Sequence, residues 1–228
     1  MVNSTITTLC DMIDHCRLRL DDVPDSTDVV NATTNLSLLE QQEEAQDQSN
    51  LLWSDNELTL YANQAVSEVA LRSRCIRDTS DTLNLTRFDI VAGTPWALLD
   101  DRLLAIHRVL WNGEPIKLES KRVLDSGVSD WESLTGEPYS FVIDQATRRI
   151  RPYKSPEVDG TLTIEVSRLP VTAMIDGDDV PEIPPHYLPE AINYMCHLAY
   201  LKNDADTKDP QQSIFYESLF SQRFGPRP

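Results

Sequence analysis

The apolar residues of this chain change period twice, and that change constrains the fold more than any single motif. Near the N-terminus Ile6, Leu9, Ile13, Cys16 and Leu20 recur at steps of three and four, one stripe of a helix. In "WSDNELTLYANQAVSEVALRSRC" Ser54 and Glu57 have capping-box spacing, and Trp53 and Leu58 have the spacing of a hydrophobic staple. A helix therefore starts there, with Leu58, Tyr61, Ala65, Val69 and Ile76 as its apolar face and Arg72, Arg74 and Arg77 at the end where the helix dipole favours cations. From about Thr82 to Pro170 the period becomes alternating. "TLNLT", "LLAIHRVLW", "EPIKL", "YSFVID", "RIRPY" and "TLTIEVSRLP" read as six strands separated by turns such as "WNGEP" and "EVDG". Helical spacing then returns, with Leu188, Ala191, Ile192, Met195, Leu198 and Ala199 on one face behind Pro184, Pro185 and Pro189. A final helix is capped by Asp209, has Pro210 at its first position and stops at Gly225 and Pro226.

This order predicts an α+β fold: a helical bundle from the N- and C-terminal helices, with an inserted, mostly antiparallel β domain. The expected divisions are 1–81 (helices and a long acidic loop), 82–170 (the β-rich insertion) and 171–228 (helices completing the bundle).

Charge narrows the function. The formal net charge is −17 over 228 residues, and no Lys or Arg lies between Leu20 and Arg72. Residues 21–50 read as a long exposed acidic loop with some helical spacing across Leu36 to Gln48. Such a surface repels a nucleic-acid backbone, because phosphate binding needs clustered cations, and here these are local: Arg72 to Arg77, Lys117 to Arg122 and Arg148 to Lys154. No run approaches the roughly 18 apolar residues of a membrane span, so a soluble cytoplasmic protein with no membrane partner is expected. Cys10, Cys16, Cys75 and Cys196 form no CxxC pair and read as reduced thiols.

Several groups invite a chemical reading. "DWESLTGEPYSFVIDQATRRIRPY" offers Asp130, Glu132, Glu137 and Asp144, and a hydrolase (nuclease or glycosidase) works with two carboxylates at fixed separation. The same residues read equally as a hairpin, with Tyr139, Phe141 and Ile143 on one strand face and Asp144 initiating the turn. We favour the hairpin. His107 stands alone within a strand, the adjacent Cys196 and His197 do not face each other on a helix, and Asp176 to Asp179 lack the spacing of a calcium loop. No catalytic residue, metal site or cofactor is therefore assigned. A small acidic binding protein that mimics DNA is the other alternative.

The last helix carries more apolar surface than one stripe needs. Phe215 and Leu219 fit a face toward the bundle, leaving Tyr216, Phe220 and Phe224 as a second line, with Arg223 and Arg227 as cations at the end of an acidic chain. That line is expected to be an interface.

Four stretches in order, from "WSDNELTLYANQAVSEVALRSRC" through the "DWESLTGEPYSFVID…RRIRPYKSPEVDGTLTIEVSRLP" segment and "VPEIPPHYLPEAINYMCHLAYLKNDADTKD" to "YESLFSQRFG", resemble the head-to-tail adaptor (portal adaptor, head-completion) proteins of tailed bacteriophages. The resemblance implies a structural virion protein of the neck, assembled in the host cytoplasm. It implies a ring of twelve copies that joins the portal protein to tail or nozzle proteins and lines a channel through which DNA passes without specific binding. In that family Trp131, Gly136, Pro138 and Tyr139 belong to the β part of an assembly module, and the Tyr216, Phe220, Arg223, Phe224 and Arg227 surface becomes the candidate portal contact.

Overall fold

The computed structural model describes residues 6–23, 51–93 and 95–228, so most of the acidic loop, with the helical spacing across Leu36 to Gln48, lies outside the described residues. The fold is mixed α/β with five α-helices and a curled, mostly antiparallel sheet among the described residues. It divides into two compact units, one of Met1–Ser73 with Thr172–Pro228 and one of Arg74–Val171.

The first unit holds helices α1 (Leu9–Leu20), α2 (Asp55–Ser73), α4 (Leu188–Ala199) and α5 (Pro210–Phe224). Thr8 and Asp11 form a reciprocal capping box at the start of α1, with Asp11 N donating to Thr8 Oγ1 at 3.3 Å and Thr8 N to Asp11 Oδ2 at 3.0 Å. The next two free amides, Leu9 N and Cys10 N, donate to the carbonyls of Asp179 and Gly177, each at 2.9 Å. The "DGDD" stretch is thus a turn that finishes a helix N-terminus, and the Asp179 carboxylate holds the turn by accepting from Ile175 N and Asp176 N.

The cap predicted for α2 is present: Ser54 N donates to Glu57 Oε2 at 3.0 Å and Glu57 N to Ser54 Oγ at 3.3 Å. The helix ends at Ser73, so Ile76 lies beyond its apolar face. What closes the chain between α1 and α2 is a buried ionic clasp. Asp22 accepts from the amides of Leu52 and Trp53, and Arg17 joins Asp22 at 2.8 Å, the Trp53 carbonyl at 2.9 Å and Asp55 at 2.5 Å. Trp53 is itself buried and donates its indole N–H to the Ala199 carbonyl. α1 packs on α2 and α4, α2 on α4 and α5, and α4 on α5. Small buried residues at these contacts, Ala62, Ala65, Ala191 and Ala199 among them, let the backbones approach closely.

The second unit is the sheet: β1 (Arg77–Asp78), β2 (Arg87–Ile90), β3 (Ala97–Leu98), β4 (Leu103–Trp111), β5 (Glu114–Ser120), β6 (Ser140–Asp144), β7 (Arg149–Pro152) and β8 (Gly160–Arg168), with the short helix α3 (Lys121–Gly127) after β5. The strand order is β1-β8-β4-β5-β6-β7-β3, and β2 pairs with β8 beside β1. "TLNLT" is a turn in place of the expected strand; the strand β2 follows it, because Thr82 to Thr86 spend their backbone groups on a tight turn about Asn84, whose φ is +62°. Asn112 and Gly113, both at positive φ, form the two-residue turn between β4 and β5.

One pairing departs from the antiparallel pattern. β5 pairs with β4 through Glu114–Ile116, then runs parallel to β6 through Lys117–Ser120. A parallel pair needs a crossover, and residues 121–139, including α3, supply it. β6 also departs from the half-buried alternation expected of it. Phe141 lies in a core with Phe88, Val109, Ile150 and Leu162, while Val142 faces a second core of Leu124, Trp131 and Tyr153, so the crossover covers the face that an open hairpin would expose.

Candidate functional site

The stretch richest in chemical groups, 130–153, is built on this crossover. Trp131 is buried, donates its indole N–H to Asp125 Oδ1 at 2.8 Å and stacks on Tyr153 at 6.2 Å between centroids. Arg151, 2% exposed, has its guanidinium between Trp96 and Trp131, 5.0 Å from each ring. It also donates to the Glu132 carbonyl at 2.9 Å and to Ser155 Oγ. Burial lowers the Arg151 pKa, partly offset by Glu132, and the two aromatic faces and the carbonyl take the place of water around the cation. Gly136 has φ +134°, a conformation glycine adopts without strain, and its amide bonds the Ser155 carbonyl while Ser155 N bonds that of Leu134. Pro138 is buried, and Tyr139 lies edge-on to Tyr153 at 4.7 Å with half its surface exposed. Trp131, Gly136, Pro138 and Tyr139 thus fasten the crossover to the sheet. Arg151 and Trp96, which complete the stack, carry no local sequence signal for it, since a cation at an apparently outward strand position gives no hint of a distant tryptophan.

Of the four carboxylates, Glu132 and Asp144 meet around one lysine. Lys121 stands 3.6 Å from Glu132 and 3.5 Å from Asp144, neutralising both from between them. Asp144 Oδ1 accepts from the amides of Ala146 and Thr147, which is the turn role expected of it. Desolvation pushes the Asp144 carboxyl up, but the Thr147 and Ala146 donors and Lys121 more than offset it and leave it below the ordinary value, the wrong direction for a general acid. Glu137 and the Asp130 side chain are exposed, Asp130 being at φ +51°. An open cleft of about 460 Å³ lies between the ends of β5 and β6, lined by Leu118, Lys121, Ile143 and Asp144. The described residues contain no group of three or more His, Cys, Asp or Glu placed to hold a metal ion. His107 bonds Ser167 Oγ at 2.7 Å across β4 and β8.

In the helical unit the last helix shows a different face from the one expected. Phe220 is completely buried, with Arg72 over its ring at 4.8 Å, so it is a core residue and not part of an exposed line. Tyr216 is half-buried, stacks on Tyr200 and donates its hydroxyl to the Arg19 carbonyl; Phe224 packs on Tyr187 and Phe220. The reason is Ser213. Its small, buried side chain bonds His197 Nδ1 at 2.9 Å, which lets α5 approach α4 along the line Ser213, Tyr216, Phe220 and Phe224. The exposed apolar groups are Ile214 and Phe215, 69% and 52% exposed. Arg223 is exposed but lies 5.7 Å over the Tyr187 ring, and Arg227 reaches Glu68 at 3.5 Å. The side chain of Arg72 is buried, pairs with Glu68 at 2.8 Å and donates to the Gly225 carbonyl at 2.7 Å.

Charge separates between the units. The helical unit has seven Lys and Arg against 22 Asp and Glu, a net of −15, and the β unit has 13 against 15, a net of −2.

Residues 7–227 match the family model described as SU10 adaptor protein. No curated protein matches the chain.

Proposed function

The chain belongs to the SU10 adaptor family of phage head-tail adaptor proteins, and from that membership we propose that it is a ring-forming, non-enzymatic component of the virion neck. Family membership makes it a phage structural protein that interacts with portal and tail components. Among the described residues no helix is long and apolar enough to cross a membrane.

In the proposed assembly twelve copies surround an axis, joined by heterologous contacts that close by rotation, each typically burying ~800 Å² per partner. α1, α2, α4 and α5 act as one helical bundle, and the β unit is its inserted domain. The observation that carries this reading is the match of 221 of 228 residues, which takes in both units and every described element. The net −15 of the helical unit suits a channel wall, because DNA passing it meets no cluster of unpaired cations. Tail or nozzle proteins bind the opposite end of the ring from the portal. The portal contact is placed on the exposed part of α5 and the segment after it: Ile214 and Phe215, the exposed edges of Tyr216 and Phe224, and Arg223 and Arg227.

Mass photometry of the purified chain with and without its portal tests the assembly. The chain alone, repelled by its own charge, is expected to remain monomeric and to enter a portal-bound ring when portal is added. Stable dimers that ignore portal would overturn the reading.

A further inference from the structure

Two thiols meet in the interior of the helical unit. Cys16 on α1 and Cys196 on α4 are both fully buried, and their sulfur atoms are 3.8 Å apart, although 180 residues separate them in sequence. We propose that they form a dithiol/disulfide couple, which a two-electron oxidant converts into a covalent fastening between α1 and α4.

The geometry favours this pair over any other in the chain. Cys10 is exposed at the first turn of α1 and Cys75 belongs to the β unit, whereas Cys16 and Cys196 sit where the two helices pack directly. The contact with Cys196 and burial push the Cys16 thiol well above its ordinary value, while Arg19 and Arg17 pull weakly the other way. Little thiolate therefore exists in the closed fold, and a reagent reaches the pair when α1 opens locally. The couple is consequently stable as thiols in a reducing compartment and slow to oxidise elsewhere.

The chemistry balances with a diazene dicarboxamide as oxidant. One thiolate adds to the N=N bond and forms an S–N bond. The second thiolate attacks that sulfur, forms the S–S bond and expels the nitrogen, and the reagent leaves as a hydrazine carrying both electrons and both protons. Because the closed loop is long, most of the effect falls on the unfolded chain, whose freedom the bond restricts. The oxidised protein should melt at higher temperature than the reduced one.

The test uses the full chain with Cys10→Ser and Cys75→Ser, so that only the proposed pair remains. After treatment with diamide under native conditions, intact mass should fall by two hydrogens and non-reducing peptide mapping should link Cys16 to Cys196. The melting midpoint should rise, and dithiothreitol should reverse both changes. If the urea-unfolded chain forms the link but the folded chain does not, the thiols cannot reach bonding geometry and the proposal fails. It fails equally if the link forms and lowers the melting temperature, since the bond then strains the packing it was meant to fasten.

Discussion

The Trp111 indole lies over the backbone of Gly160 so closely that a β-carbon there would stand 2.3 Å from two of its ring carbons. The contact sits where β4 turns into β5, and Asn112 secures the same corner by bonding Thr161 in both directions, through its amide N–H and its side-chain oxygen, each at 2.9 Å. Gly160→Ala should therefore displace Trp111 and cost about 1–3 kcal/mol. A urea titration followed by tryptophan fluorescence should show a lower midpoint with an altered native emission; an unchanged midpoint would mean that the ring moves aside freely.

Arg151→Lys keeps the charge and loses the planar group that fits between Trp96 and Trp131. With the hydrogen bonds to the Glu132 carbonyl and Ser155 also lost, a destabilisation of about 2 kcal/mol or more is expected. Near-ultraviolet circular dichroism should lose tryptophan signal while the helical signal persists. An intact tryptophan signal would show that the stack does not depend on the guanidinium.

Asp100 gives a defined acid response. The Arg102 side chain, donating to its carboxylate, overcomes partial desolvation and lowers its pKa from 3.8 to about 2. A depressed folded-state value means that the stabilisation is present above the unfolded value and is lost as pH falls through the folded one, here from about pH 4 to about pH 2. Asp100→Asn should thus be less stable than wild type at neutral pH and lose less further stability across that window. Parallel pH profiles for the two proteins would refute the assignment.

Phe220 and Phe215, five positions apart on α5, should separate folding from assembly. Phe220→Ala empties a buried site and should cost about 3–5 kcal/mol. Phe215→Glu alters an exposed position, should change stability by no more than about 0.5 kcal/mol, and should abolish co-sedimentation with portal rings. Retained binding by folded Phe215→Glu would move the portal contact elsewhere.

What the sequence revealed follows the range of the interactions involved. The α2 cap is decided within four residues, the Asn-Gly turn within two, and the Asp209 cap within three, so each was legible from the chain alone. The parallel β5–β6 pairing depends on a crossover whose packing is set by Leu124 and Trp131, and nothing in the alternation of β6 distinguishes one covered face from two. On α5 two adjacent stripes were both apolar. The choice between them was made by Ser213, a residue too small and polar to count in an apolar pattern, whose hydroxyl finds His197 on the facing helix. The burial of Arg151 is illegible for a related reason: its partner Trp96 comes from a different strand connection, beyond any local window.

The clasp made by Asp22 with the amides of Leu52 and Trp53 brings the described chain on either side of residues 24–50 to one point, the first side held by the buried Arg17–Asp22 ion pair and the second by amide hydrogen bonds to the same carboxylate. Once its ends are fixed, what a connection costs the fold varies only with the logarithm of its length, about 0.6 kcal/mol for each doubling if the connection is flexible. The helical unit is thereby insulated from changes between the two anchors. Insertions, deletions or exchanges between the two anchors are therefore expected to cost the folding of the helical unit little, which makes this position a natural graft point on an adaptor scaffold.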